Sequence, residues 1–155
     1  MNIIMTGSTS FVGAATVREL LRRGHTVTAI VRPKSSKLDT ILEGNEEALL
    51  SGRLLVTEND LSEPEKLLEK VTKPQEVFCH FGWGGSGSVS RTDKALQEKN
   101  MEISLETIRT AKALGCKKFL FSGSQAEYGM HQDLITENTV CEPKSLYGEA
   151  KLAMR

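Results

Sequence analysis

The chain has 155 residues, which is the usual size of one domain with a single core and too short for two domains of ordinary size. Its 20 basic and 20 acidic side chains balance, which argues against a nucleic-acid backbone or an anionic membrane surface as the main partner. The N-terminus lacks a signal-peptide pattern, and no apolar run approaches the ~20 residues of a membrane helix. We therefore expect one domain over residues 1–155 in a soluble, cytoplasmic protein.

The cysteines and histidines do not predict a disulfide framework or a metal site. The cysteines are odd in number, widely spaced and without a CxxC pair: Cys79, Cys116 and Cys141. The histidines show no metal-ligand spacing: His25, His80 and His131. We expect reduced thiols and assign the histidines no role.

Five short apolar runs alternate with segments of helical periodicity, as in βαβ units around a parallel sheet. The runs predict strands at Asn2–Met5, Thr26–Val31, Arg53–Thr57, Glu76–Phe81 and Lys118–Gly123. Right-handed crossovers between sequential strands favour the order 3-2-1-4-5. The sequence therefore predicts an α/β fold with a doubly wound parallel sheet.

Local signals place the helices between these strands. An apolar face predicts a helix from Phe11 to Arg23, closed by Gly24, and a weaker helical stretch precedes the third strand. The pair Ser62 and Glu65 predicts a capping box for a helix to about Val71. A loop is expected over Gly82–Ser90, a long helix from Asp93 to Leu114 stopped by Gly115, and a last helix from Ser145.

The turn after the first strand, TGSTSFVG from Thr6 to Gly13, has the features of a dinucleotide cradle. Gly7 permits a tight turn and Gly13 lets the helix pack closely on the sheet. The N-terminus of that helix offers N–H groups and a positive dipole end to a pyrophosphate. The alternative is a simple strand-to-helix turn without a ligand.

Arg32 follows the second strand, where the adenosine ribose of such a cofactor would lie. A guanidinium there can pair with a 2′-phosphate, so NADP is favoured over NAD. The alternative is that Arg32 only ends an exposed strand, as most surface arginines do.

Tyr147 and Lys151 are four residues apart in SLYGEAK, which puts both on one helix face. A phenol begins near pKa ~10, and a neighbouring ammonium favours phenolate, so the pair suits proton transfer. Ser124, after the fifth strand, offers a second hydroxyl. The alternative is an ordinary helix surface with a half-buried ring.

Taken together, several segments resemble the extended short-chain dehydrogenase/reductase family, which includes nucleotide-sugar epimerases and dehydratases. They run in order over practically the whole chain: TGSTSFVG, NDL at 59–61, HFGWGG at 80–85, Asn100, FLFSGSQAEYG at 119–129 and YGEAK at 147–151. The combination of glycine turn, serine segment and YxxxK is specific, although each piece alone is weak. The resemblance implies a Rossmann fold and hydride transfer between a substrate carbon and a nicotinamide.

The same resemblance implies a role for each matched residue. The cofactor-binding set is Gly7, Ser10, Phe11, Val12, Gly13, Arg32, Asp60, Leu61, Gly82, Trp83, Asn100, Ser122, Tyr147 and Lys151. Within it, Asp60 and Leu61 lie near the adenine, Gly82 and Trp83 line the cofactor channel, and Arg32 meets the 2′-phosphate. The catalytic set is Ser124, Tyr147 and Lys151: Tyr147 is the general acid/base, Lys151 tunes it and holds the nicotinamide ribose, and Ser124 bonds the reacting oxygen. For Trp83 a loop anchor is the alternative.

Two features depart from the family pattern. Ser10 stands where a third glycine is usual, and a positive φ there would cost something like 1 kcal/mol, whereas a shifted turn would let its hydroxyl donate to a phosphate. Arg155 comes one turn after Lys151, so we expect a truncated chain without the last strands and the substrate domain. The fifth strand would then be an apolar edge through which chains self-associate.

Three functions remain open at this point. The first is the cofactor portion of an NAD(P)-dependent oxidoreductase, epimerase or dehydratase acting on a nucleotide sugar or a similar hydroxyl or ketone. The second is a non-catalytic dinucleotide-binding or interaction module, since fold does not fix function. The third is an inert fragment. The substrate and the exact reaction are not readable from this sequence.

Overall fold

Five strands form one parallel sheet in the order β3-β2-β1-β4-β5, which confirms the predicted fold class and topology. The strands are β1 (Asn2–Thr6), β2 (Thr26–Val31), β3 (Leu54–Glu58), β4 (Val77–His80) and β5 (Lys118–Phe121). The helices are α1 (Phe11–Arg22), α2 (Asp39–Leu42), α3 (Glu46–Leu50), α4 (Leu67–Lys70), α5 (Lys94–Ala113) and α6 (Leu146–Ala153). The structure, a computed structural model, describes residues 1–85 and 87–155.

The chain divides into two compact units. The first comprises Met1–Gly82 and Leu105–Leu120, and the second comprises Trp83–Ser104 and Phe121–Arg155. The first unit therefore carries the sheet up to Leu120 and the second carries α6. Each unit is described separately below.

The first unit buries both faces of the three central strands of its sheet. Alternate residues of each strand point to opposite faces: Ile3 and Met5 belong to one apolar cluster with Val17 of α1, whereas Ile4 belongs to another with Phe78. Because β1, β2 and β4 are buried on both faces, they are nearly continuous apolar runs, whereas β3 and β5 are partly exposed. That pattern is why these three strands were recognisable in the sequence.

Two glycines of the first unit follow the ends of α1 and α5, as predicted. Gly24 follows α1 with φ +80°, and Gly115 follows α5 with φ +83°. The left-handed backbone at these positions favours glycine because it has no Cβ. The neighbouring amides close the helix ends, with the N–H of His25 donating to the carbonyl of Leu20 at 3.0 Å.

The predicted capping box at Ser62 is wrong. Both the N–H and the hydroxyl of Ser62 donate to Asp60 Oδ1, at 2.9 and 2.7 Å. The carboxylate two residues back competes successfully for the serine, as acidic side chains do in turns. The segment instead begins with a 3-10 turn at Pro64–Lys66 and continues into the single helical turn of α4, without a side-chain cap.

The predicted loop over Gly82–Ser90 is partly wrong, because a 3-10 turn occupies Val89–Thr92. Ser86 of that loop lies outside the described residues. The predicted start of the last helix is confirmed: Ser145 is the N-cap of α6, and its hydroxyl oxygen accepts the N–H of Gly148 at 3.1 Å. Over the described parts of the chain, no helix combines the length and apolar character needed to cross a membrane.

Candidate functional site

The glycine turn after β1 is built so tightly that only glycines fit at two of its positions. Gly7 has φ +70°, and a Cβ there would lie 2.6 Å from the carbonyl carbon of Phe81. A Cβ on Gly13 would overlap the carbonyl oxygen of Gly7 and lie 2.8 Å from Ser10 Oγ. The closest approach at Gly13 is therefore to the turn itself.

Ser10 occupies the third-glycine position without backbone strain. Its φ of −74° and ψ of 166° are extended, so the cost expected of a positive φ does not arise. It is the N-cap of α1, and its hydroxyl oxygen accepts the N–H of Gly13 at 3.0 Å. The serine fixes the start of the helix in the way a glycine cannot.

The start of α1 has the chemistry needed by a phosphate. Phe11 is 95% exposed and Val12 is 59% exposed, and α1 carries no acidic side chain in its first turn. The first N–H groups of a helix have no carbonyl partner within that helix, and the positive dipole end is not neutralised here. The turn and the N–H groups of Phe11 and Val12 therefore fit the pyrophosphate of a dinucleotide.

Arg32 and Asp60 follow the neighbouring strands β2 and β3, and both are exposed. The two hydrogen bonds from Ser62 hold the pKa of the Asp60 carboxyl below its usual value, with smaller contributions from the charges of Lys66 and Arg32. The carboxyl ends of β2 and β3 are therefore followed by the guanidinium of Arg32 and the ionised carboxylate of Asp60, which attract each other.

Gly82 is buried after β4, beside Leu61. A Cβ on Gly82 would lie 2.7 Å from Leu61 Cδ1 and 3.2 Å from Thr6 Oγ1. Thr6, which the sequence did not single out, fixes the backbone at Gly82. Its hydroxyl is hydrogen-bonded to His80 Nδ1 at 2.9 Å, and its oxygen accepts the N–H of Gly82 at 3.2 Å. His80, given no role from the sequence, is a fully buried partner of that threonine.

In the second unit, α5 anchors the segment that begins at Trp83. Asn100 is 3% exposed and clamps Gly84, accepting its N–H at 3.0 Å and donating to its carbonyl at 2.8 Å. One helical turn earlier, Gln97 Oε1 accepts the indole N–H of Trp83 at 2.9 Å. Gln97 was missed, although its i, i+3 spacing from Asn100 places both on one face of α5.

Lys151 is buried in a box of two aromatic rings and a carbonyl. It is 2% exposed, and its Nζ donates to the carbonyl of Ser122 at 2.8 Å. The same nitrogen lies 4.1 Å from the ring centre of Trp83 and 4.3 Å from that of Phe121. Burial lowers the pKa of Lys151 to about 8, and the negative charge of Glu127 opposes that shift.

Tyr147 shares this box and is itself 8% exposed. The edge of its ring meets Trp83 at a centroid distance of 6.2 Å and an interplanar angle of 86°. The guanidinium carbon of Arg91 lies 5.0 Å from the Tyr147 ring centre. The alternative of an ordinary helix surface is therefore wrong for this pair, because Tyr147 and Lys151 are both buried.

Ser124 lies in a turn of its own within the second unit. Its Oγ accepts the N–H of Ala126 at 3.2 Å, and its own N–H donates to Glu127 Oε1. The two bonds form a capping box around the 3-10 turn Gln125–Glu127. A Cβ on Gly148 of α6 would overlap the carbonyl oxygen of Ala126, so only glycine lets the helix lie this close to the turn.

The structure thus groups the predicted residues into a glycine turn in one unit and an aromatic-lined lysine and tyrosine in the other. Phe121, Arg91 and Glu127 of the second unit were missed, because nothing local to them in the sequence indicates contact with α6. Among residues 1–85 and 87–155, no three His, Cys, Asp or Glu side chains come together to hold a metal.

A parallel sheet of this order, with a glycine turn opening the first helix, defines the class of Rossmann-like dinucleotide-binding α/β proteins. The family model described as "NAD dependent epimerase/dehydratase family" matches residues 3–155. The chain belongs to that family.

Several relatives match nearly all of this chain. The chain is 31% identical to dTDP-6-deoxy-L-talose 4-dehydrogenase (NAD(+)) of Aggregatibacter actinomycetemcomitans, covering 100% of the chain and 53% of that protein. It is 29% identical to D-erythronate dehydrogenase of Cupriavidus necator, and the match covers 97% of this chain and 47% of that protein. A crystal structure of UDP-glucose 4-epimerase superposes with a TM-score of 0.80 at 28% identity, and the match covers 99% of this chain and 45% of that one. The chain thus spans about half the length of the curated relatives it matches, roughly their N-terminal, cofactor-binding half.

Proposed function

We propose that this chain is the cofactor-binding portion of an NAD(P)-dependent enzyme that oxidises or reduces a hydroxyl or ketone on a nucleotide sugar or a similar substrate. The observation that carries the proposal is the buried pair on α6, where Tyr147 and Lys151 lie together beside Trp83. A lysine is rarely buried this fully without a function for its charge. The activities for which the relatives are named, two dehydrogenases and one epimerase, support the same reaction class.

The first unit would hold the dinucleotide. The N–H groups of Phe11 and Val12 would bind the pyrophosphate, with Gly7, Ser10 and Gly13 giving the turn its shape. Asp60, Leu61 and Gly82 would lie along the cofactor, as the family resemblance implies. When bound, the nicotinamide supplies hydride transfer.

The second unit would supply the acid–base groups. Tyr147 would exchange a proton with the reacting oxygen, and Ser124 would hydrogen-bond that oxygen. Lys151 would place a positive charge beside the phenol and hold the nicotinamide ribose. Three further residues would complete the cofactor-binding set. Trp83 and Asn100 would act through the loop that they fix. Ser122 would act through its carbonyl, which accepts a hydrogen bond from Lys151.

The cofactor preference is proposed from Arg32. This residue is the first after β2, is exposed, and carries a guanidinium that suits a 2′-phosphate. The relative from Aggregatibacter is named for NAD(+), so the preference has to be measured on this chain. Calorimetric titration should show NADP binding more tightly than NAD, and Arg32→Ala should remove about 1 to 3 kcal/mol of that preference.

The matched control is Arg23→Ala, an exposed arginine that follows α1 and pairs with Glu19. It should leave both affinities unchanged. Equal affinities for NADP and NAD in the unsubstituted chain would refute the preference. That result would indicate that the Asp60 carboxylate offsets the charge of Arg32. Binding of neither cofactor would refute the enzymatic proposal for this chain and favour a non-catalytic module of the same fold.

We also propose that the chain self-associates through β5. This strand is the last in the sheet order, and Leu120 is 48% exposed on it. An apolar edge strand with free N–H and C=O groups is a template for pairing. Light scattering at high concentration should give a mass above that of one chain, and Leu120→Lys should lower it. Leu50→Lys, at an 89% exposed position on α3, is the control, and a monomeric mass for the unsubstituted chain would contradict the proposal.

Two further parts of the proposal follow from the sequence alone. We propose that residues 1–155 act as one NAD(P)-binding domain. We also propose a cytoplasmic location, where the dinucleotide pool is found. Fractionation of cells that express the tagged protein tests the location.

A further inference from the structure

Glu127 is a buried carboxylate in the turn that carries Ser124. Its side chain is 4% exposed, and its Oε1 accepts the backbone N–H of Ser124. Acidic residues are among those that proteins bury least, and burying a carboxylate costs free energy unless it is hydrogen-bonded or paired. The burial of a charged side chain at this position therefore suggests a role beyond the capping of one short turn.

The backbone before Ser124 packs directly against this carboxylate. A Cβ on Gly123 would lie 3.0 Å from Glu127 Oε1, which is closer than side chains ordinarily approach. In return, the hydroxyl oxygen of Ser124 accepts the N–H of Ala126 at 3.2 Å. The reciprocal bonds fix both the backbone and the side-chain rotamer of Ser124.

The same carboxylate lies against the backbone next to the carbonyl that binds Lys151: a Cβ on Gly123 would lie 3.0 Å from Glu127 Oε1, and the Ser122 carbonyl accepts Lys151 Nζ at 2.8 Å. Burial lowers the pKa of Lys151, and Glu127 is the group whose charge raises it. Ionisable groups of the second unit close to this lysine include Tyr147, on its own helix, and Arg91, whose guanidinium lies over the Tyr147 ring. Among the described residues, the ammonium also contacts the uncharged rings of Trp83 and Phe121 and donates to the Ser122 carbonyl.

We propose that Glu127 is a positioning residue that fixes Ser124 through hydrogen bonds and, packed against the backbone next to the Ser122 carbonyl that binds Lys151, places a favourable negative charge near that ammonium. The inference rests on the proposed function, because Ser124 and Lys151 are catalytic candidates only there. One buried carboxylate thus serves two of the three catalytic candidates. Glutamine at this position keeps the shape and the acceptor oxygen but loses the charge, whereas leucine loses both.

The test follows Lys151 directly by NMR, without cofactor or substrate. The ε-carbon signals of a lysine-labelled chain are recorded against pH, and Lys151→Arg identifies the signal of Lys151 by its loss. Glu127→Gln should lower the titration midpoint of Lys151 by about half a pH unit or more, because an attractive charge is removed. Glu149→Gln, which neutralises an exposed acid on α6, should leave the midpoint unchanged.

The hydrogen-bonding role has a separate readout in the exchange of the Ser124 amide proton. Exchange should be slow in the unsubstituted chain and in Glu127→Gln, and about tenfold or more faster in Glu127→Leu. If the variants do not fold, the unsubstituted chain still tests the bond, since its Ser124 amide proton should exchange about tenfold or more slowly than the amide protons of exposed turns.

The two proposals fail separately. A midpoint in Glu127→Gln equal to that in Glu149→Gln overturns the electrostatic role, and a Ser124 amide that exchanges as fast as an exposed one overturns the hydrogen-bonding role. Failure to bind NADP or NAD refutes the proposed function, but it alters neither NMR result.

Discussion

The free energy of unfolding of this chain should rise by about 3 kcal/mol between pH 8 and pH 10.5 through Lys151 alone. Burial lowers the pKa of this side chain to about 8 in the folded protein, whereas the unfolded chain keeps the ordinary value of 10.5. Between the two values the unfolded state binds one proton more than the folded state. Stability therefore increases with pH across this window, and below it Lys151 contributes no further pH dependence.

Other lysines, tyrosines and cysteines titrate in the same range, so the effect is measured as a difference between variants. Urea unfolding followed by circular dichroism at about pH 7 and about pH 10 should show the rise in the unsubstituted chain and in Lys144→Met. Lys144 is an exposed lysine of the second unit, which makes it a matched control. Lys151→Met should lack the rise. An identical pH dependence in the Lys151 and Lys144 variants would mean that Lys151 is hydrated in solution.

The difference between local and long-range interactions explains which parts of the molecule were predictable. The strands β1, β2 and β4 are apolar runs bounded by turn signals, and their burial on both faces leaves a mark on consecutive residues. The helix stops at Gly24 and Gly115 are equally local, since a left-handed backbone selects glycine. Elements whose signal lies within a few residues of sequence are therefore recovered from the sequence.

The wrong capping-box prediction has a specific cause, which is competition for one polar group. Ser62 matched the capping-box pattern with Glu65, but the carboxylate of Asp60 accepts hydrogen bonds from both its hydroxyl and its N–H. A sequence pattern names possible partners without ranking them, and the ranking depends on geometry. The same limit applies to Ser10, where absence of a glycine suggested strain and the structure has a regular N-cap.

The surroundings of Lys151 were not predictable for another reason. The YxxxK spacing identifies the helix face, but Trp83, Phe121 and Glu127 reach it from segments that are 24 to 68 residues away in the chain. No periodicity links residues over such separations. The chemistry of the lysine, which is a charge held between aromatic faces, is therefore a property of the fold.

The substitution Gly13→Ala should have the other large effect, on both stability and cofactor binding. The added Cβ would overlap the Gly7 carbonyl oxygen and lie 2.8 Å from the Ser10 oxygen that caps α1. Both neighbours are held by the turn, so the start of α1 must shift, at a cost of about 2 to 3 kcal/mol in the free energy of unfolding. Under the proposed function, the same shift moves the N–H groups of Phe11 and Val12 and weakens dinucleotide binding by about tenfold or more.

Gly87→Ala provides the control, because a Cβ at Gly87 meets none of the described atoms within 4 Å. It should change the free energy of unfolding by no more than about 0.5 kcal/mol and leave cofactor affinity unchanged. Urea unfolding and calorimetric titration of the two variants separate the two consequences. If Gly13→Ala is destabilised while affinity is retained, the turn is structural and the pyrophosphate binds elsewhere. If stability is unchanged, the turn relaxes around a Cβ, and the requirement for glycine at this position is refuted.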